Sequence, residues 1–184
     1  MSAATPSYTP TAIALHWLVG VGLLATLALG FYMHDLPLSP DKLRLYSWHK
    51  WAGVTLFLLA VFRVLWRLSH RPPAAPASMP RWQQVAAEAV HGLLYLLMFA
   101  IPLSGWLMSS AKGFPTVWFG VLPLPDLIGK DVELGKTLKE AHEMLNLLLL
   151  VLVASHVGAA LKHHLLDRDE VLARMAPWLR RPQH

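Results

Sequence analysis

Two histidines, His142 and His156, stand fourteen residues apart in an apolar stretch, HEMLNLLLLVLVASHVGAALKHH. At the α-helical repeat this spacing is about 21 Å along the axis with a residual rotation of about 40°, so both imidazoles share one face. A hydrocarbon core is about 30 Å thick, which sets the two rings near its opposite surfaces. Ionisable side chains at such depths are costly and point to a functional site. A neutral imidazole is a metal ligand. A lone histidine often only hydrogen-bonds a carbonyl, but two on one face, four turns apart, suit a paired cofactor site.

The same register recurs elsewhere. His16 lies fourteen residues before Gly30, and His49 fourteen before Arg63. If successive helices run antiparallel, His16, His91 and His156 share one layer, with His163 one or two turns beyond. His49 and His142 share the other layer. Two depths, each with imidazoles from different helices, match bis-histidine ligation of two stacked haems. Zinc also takes imidazole. Haem is favoured because the histidines come in pairs, without carboxylates or thiols at the same level. Gly30 would let a flat group approach the backbone, or would serve ordinary helix packing. Arg63 suits a carboxylate such as a haem propionate, or snorkels toward headgroups.

The elements that must position these residues are apolar. The 184 residues are 55% hydrophobic and 15% charged, with a mean hydropathy of +0.42. That is outside the range of ordinary soluble domains. Four runs approach spanning length: 11–33, 47–66, 90–110 and 144–161. They predict one all-α membrane domain over 1–184. Cysteine is absent, which excludes disulfides, c-type haem attachment and iron–sulfur clusters. The net charge of +5 comes with no nucleic-acid motif, and nothing assigns an oligomeric state. The first ten residues do not read as a cleaved signal peptide, and Thr9-Pro10-Thr11 reads as a helix start.

Between the runs, 34–46 reads as a loop and 69–81 as a Pro/Ala linker. Pro102 with Ser104-Gly105 should kink or loosen the third span. Residues 114–125 read as a segment lying on the interface, and the stretch after Asp131 as the amphipathic start of the fourth helix. The 167–184 tail reads as a short basic amphipathic surface segment. Lys and Arg number nine on the side of the linker and tail, Arg71, Arg81, Arg180 and Arg181 among them. The other side has seven: Lys42, Arg44, Lys50, Lys112, Lys130, Lys136 and Lys139. The balance puts both termini in the cytoplasm.

Leu15-His16-Trp17-Leu18, His49-Lys50-Trp51-Ala52-Gly53, Phe62-Arg63-Val64-Leu65-Trp66-Arg67, His91-Gly92-Leu93-Leu94-Tyr95, Ile101-Pro102-Leu103-Ser104-Gly105-Trp106 and His142-Glu143 with His156 carry a resemblance. Together they resemble the bacterial cytochrome b561 family over nearly the whole chain. More distantly they are similar to the cytochrome b subunits of formate dehydrogenases and nickel–iron hydrogenases. The resemblance implies an integral membrane four-helix bundle in a bacterial inner membrane, with two b haems stacked across the bilayer. It implies iron ligation by His16 with His156 on the cytoplasmic side, and by His49 with His142 on the outer side. His91 is left over: it could replace His16, but a role beside the ligands or at a quinone site is preferred. The resemblance further implies an oxidoreductase exchanging electrons with ubiquinone. Some members are superoxide oxidases, and the basic outer residues would steer that small anion. Asp35, Asp41, Asp126, Asp131, Glu133 and Glu140 offset them in a mixed solvated loop. On the inner side His91, His163 and Arg71 would meet the quinone. The alternative is an anchor subunit passing electrons for a larger dehydrogenase or hydrogenase.

Overall fold

The computed structural model describes residues 7–76 and 79–179. Arg180 and Arg181, the first six residues, and positions 77 and 78 of the linker lie outside these. Four long helices dominate: α1 (Pro10–His34), α2 (Pro40–Ser69), α3 (Arg81–Ala111) and α4 (Val132–Lys162). All four are long and apolar enough to cross a membrane. α1 matches its apolar run to within a residue, while α2, α3 and α4 begin about two turns or more before theirs.

The helix starts follow local chemistry. Thr9 Oγ1 accepts from the Ala12 amide, with Pro10 in the first turn, where a missing N–H costs nothing. Ser39 Oγ accepts from the Lys42 amide ahead of α2, again with proline in the first turn. The expected loop 34–46 is therefore mostly helix, because Ser39-Pro40 starts α2 well before its apolar run. Asp131 caps α4 by accepting from the Leu134 amide at 3.0 Å. α3 runs through Pro102 without a break.

Sequential helices pack as neighbours: α1 on α2, α2 on α3, and α3 most extensively on α4. Leu97 and Ile101 of α3 meet Leu149 and Leu152 of α4. Val19, Ala60 and Met98 join α1, α2 and α3. The backbone of α4 has no comparably close approach to α1 or α2. Outward-facing apolar side chains such as Leu18, Val21, Leu65 and Val151 are exposed in number, as lipid-facing positions must be.

Two further segments take a definite shape. Residues 114–125 form a small hairpin, β1 (Val117–Trp118) against β2 (Leu122–Pro123), turning through Phe119 and Gly120 at positive φ. It is pinned to the helices. Trp51 Nε1 donates to the Val117 carbonyl at 2.6 Å, Trp106 Nε1 to Pro125 at 3.0 Å, and Lys50 Nζ to Phe114 at 3.0 Å. Over its described residues the tail is a series of short turns. It leaves α4 through a π turn at His163–Asp167 and continues as short 3-10 turns, with Ala173 and Ala176 buried. Trp17 Nε1 donates to the Met175 carbonyl, and Arg174 to that of Ala74, which ties the tail to α1 and the linker.

Candidate haem sites

The wide approach between α4 and the first two helices is where the imidazoles meet. At one level the rings of His49 and His142 stand 6.3 Å apart, centre to centre. At the other level His16 and His156 stand 6.0 Å apart. A metal–imidazole bond is about 2 Å, and a ring nitrogen lies about 1 Å from its ring centre. Two imidazoles on opposite sides of one iron therefore have centres about 6 Å apart, and both pairs fit. His91 comes closer to His156, at 5.1 Å, too near for the two to face each other across one iron.

The His142 ring is oriented from α3. Its Nδ1 lies 3.1 Å from the Ile101 carbonyl and 2.9 Å from Ser104 Oγ, whose hydroxyl donates to that same carbonyl at 2.8 Å. With Nδ1–H committed to the carbonyl, Nε2 keeps its lone pair for a metal. This is the usual support of a ligating histidine. Nothing in the sequence marks Ile101 or Ser104 as partners of His142. Only the antiparallel register of α3 and α4 brings them to it. His49 Nδ1 is buried near the Thr26 backbone and makes no hydrogen bond of full geometry.

Glycines stand against the rings of both His49 and His142. A Cβ on Gly30 would lie 3.3 Å from His49 Cε1, and one on Gly105 would lie 3.1 Å from His142 Cε1. Around these rings opens a mostly apolar cavity of about 400 Å³, lined from all four helices. It is of the size that holds bound cofactors. Gly30 thus gives room for the His49 ring itself, as close packing between α1 and α2 requires. The cavity also meets a carboxylate that the sequence reading did not place at this level. Glu143 lines it, but its Oε1 pairs with Lys139 at 2.6 Å and lies 3.7 Å from His34 Nε2.

Lys50, Lys112 and Lys139 also line this cavity. Of the basic residues expected on the outer side, Arg44, Lys136 and Lys139 pair with Asp41, Glu133 and Glu143. Lys42 is held by the His34 and Leu36 carbonyls. The loop is mixed in sign, and of the three cavity-lining lysines only Lys139 forms an ion pair among the described residues. Lys112, just past the end of α3, has its pKa lowered by burial first and by Lys139 next, with Glu143 opposing.

At the level of His16 and His156, Arg63 Nη2 lies 3.3 Å from His16 Nδ1, and its Nε donates to Tyr95 Oη at 3.1 Å. Arg63 therefore reaches this imidazole pair rather than only the headgroups. His163 Nδ1 is 2.6 Å from Asp169 Oδ2 and 3.2 Å from Asp167 Oδ2, in a small cluster at the start of the tail. Arg71 is exposed in the linker. His91 is brought to the His16–His156 level, whereas His163 pairs with Asp167 and Asp169 instead.

A family model described as prokaryotic cytochrome b561 matches residues 7–178. Cytochrome b561 homolog 2 of Escherichia coli (strain K12) is 35% identical over 169 residues, covering 91% of this chain and 90% of the relative. Cytochrome b561 homolog 1 of the same strain is 30% identical over 173 residues, 92% and 97% of the two chains. A protein named probable superoxide oxidase CybB, from Yersinia pestis, is 30% identical over 176 residues, 92% and 96%.

Proposed function

This chain belongs to the prokaryotic cytochrome b561 family, a multi-pass bacterial membrane cytochrome binding b-type haem, and from that premise we propose that it carries electrons across the membrane between two haems. The single observation that carries the reading is the pair of facing imidazoles at each of two levels, 6.0 and 6.3 Å apart. His16 with His156, and His49 with His142, are the proposed iron ligands. The haem iron, once bound, supplies reversible one-electron chemistry.

The chain's own residues do the rest. The Ile101 carbonyl and Ser104 fix the His142 ring and its tautomer. Arg63 offers a guanidinium to a propionate carboxylate near His16. The apolar helix faces keep water from the rings. On the outer face, Lys50 and Lys112 lining the cavity would attract a small anionic donor such as superoxide. A relative bearing the name probable superoxide oxidase supports that donor. On the inner face His91 and His163, with Arg71, would meet ubiquinone, hydrogen-bond its carbonyls and deliver protons as it is reduced. The charge count favours an inner-membrane orientation with both termini cytoplasmic.

One experiment tests the whole reading. The purified protein should contain two haems per chain by pyridine haemochromogen assay, and superoxide should reduce both in the presence of ubiquinone. One haem per chain, or both spectral signals surviving H156A, would refute it.

A further inference from the structure

Arg63 and Arg67 sit one helical turn apart on α2, and among the described residues neither forms an ion pair with a carboxylate. The Cζ atoms of both lie 5.6 Å from the centre of the Tyr95 ring. Arg63 is half-buried and Arg67 exposed. Like charges at this spacing repel, and near an apolar span the surroundings screen them poorly. Stacking on Tyr95 attracts each cation to the ring but neutralises neither. Two adjacent guanidiniums without an acid call for an anion from outside the chain.

A cavity of about 30 Å³ lies among them, lined by Tyr8, Leu15, Arg63, Arg67, His70 and Tyr95 with four others. One water-sized oxygen needs about 10–15 Å³ on this measure. The cavity therefore admits about two oxygens, which matches a carboxylate head. Its charged lining is cationic, and the Tyr and His side chains add hydrogen-bond donors. Arg63 also reaches His16 Nδ1, so the cavity adjoins the inner imidazole pair.

We propose that Arg63 and Arg67, spaced by Tyr95, form an anion clamp whose occupant is a propionate carboxylate of the haem held at His16 and His156. Arg67 is then a positioning residue that helps set this haem's potential. The proposal rests on the two-haem reading above. A lipid headgroup phosphate offers the same anionic oxygens, and the test separates the two sources.

The test uses the full-length, haem-loaded protein in detergent and in nanodiscs with and without phosphatidylglycerol. Redox titration resolves the spectral components, and transfer to apomyoglobin measures haem retention. R67Q should lower the midpoint potential of one component only, because a lost cation disfavours the more electron-rich reduced haem. It should also speed loss of that haem on the order of tenfold, the scale of one charge-assisted hydrogen bond. R67K should restore most of both effects. Unshifted potentials with unchanged retention in R67Q would overturn the clamp. An R67Q effect seen only with phosphatidylglycerol present would assign the anion to lipid and overturn the propionate. Failure of the two-haem reading shows separately, as a wild-type haem count of one before any Arg67 variant is compared.

Discussion

His142 on α4 and Ser104 on α3 are joined by a 2.9 Å contact between Nδ1 and Oγ, while both groups share the Ile101 carbonyl. Pro102 follows directly: α3 continues through it, and the carbonyl just before it is the acceptor shared by the serine and the imidazole. A side-chain hydroxyl and a backbone oxygen thus decide which way an imidazole on another helix points.

Ser104→Ala should therefore weaken the outer haem site selectively. Removing one partner of a ligating imidazole typically costs about 10–100-fold in metal affinity. The expected result is faster loss of one haem to apomyoglobin and an altered midpoint potential for that component, with the other unchanged. Equal effects on both components, or none, would remove Ser104 from this role.

Glycine at 30 and 105 makes a second, steric prediction. A Cβ at either position would meet an imidazole at 3.3 or 3.1 Å, and larger side chains would fill the cavity itself. Gly30→Leu should abolish the outer haem while the His16–His156 component survives, read as a haem count falling from two to one. Retention of both haems by the Gly30→Leu protein would show that the cavity beside His49 is not the haem's.

The histidine layering was legible because helical geometry turns a fourteen-residue spacing into a shared face without any knowledge of neighbours. Gly30 was singled out by the same rule, and the structure sets it against the His49 ring. What escaped was tertiary. Ser104 meets His142 across thirty-eight residues, a pairing set by how α3 and α4 slide against each other. The start of α2 was missed for another reason. Ser39-Pro40 is a readable start signal, but a polar first two turns hid it behind the apolar run. The tail escaped because Ala173 and Ala176 are buried by contacts with distant elements, which no local pattern announces.

The hairpin between α3 and α4 should depend on Trp51. Its Nε1 holds the Val117 carbonyl at 2.6 Å, and its ring packs 5.5 Å from that of Phe119. Trp51→Phe keeps much of the packing and loses the hydrogen bond, worth about 0.5–1.5 kcal/mol. For a chain of this size each kcal/mol lowers the Tm by about 2–4 °C. Thermal unfolding in detergent and limited proteolysis within 112–131 would measure it. An unchanged Tm with an unchanged cleavage rate would mean the loop is held by its other contacts, those of Trp106 and Lys50.

Lys112 predicts a pH dependence. Burial and then Lys139 lower its pKa, with Glu143 partly opposing, so its charge is lost below the ordinary lysine value of about 10.4. The folded protein therefore disfavours the charged amine. That cost is present below the lowered pKa and fades as pH rises through it, so this residue alone makes the fold more stable toward alkaline pH. Function moves the other way. If the cation lining the cavity draws an anionic donor, reduction by superoxide should slow as pH rises through the lowered pKa, and added salt should flatten the effect. Lys112→Gln should remove that alkaline limb and lower the rate at neutral pH, while haem content stays at the wild-type value. Stopped-flow reduction across pH at two ionic strengths reads both outcomes. An identical profile in Lys112→Gln would assign the limb to another group, and a rate insensitive to salt would sever the link between the basic lining and the donor.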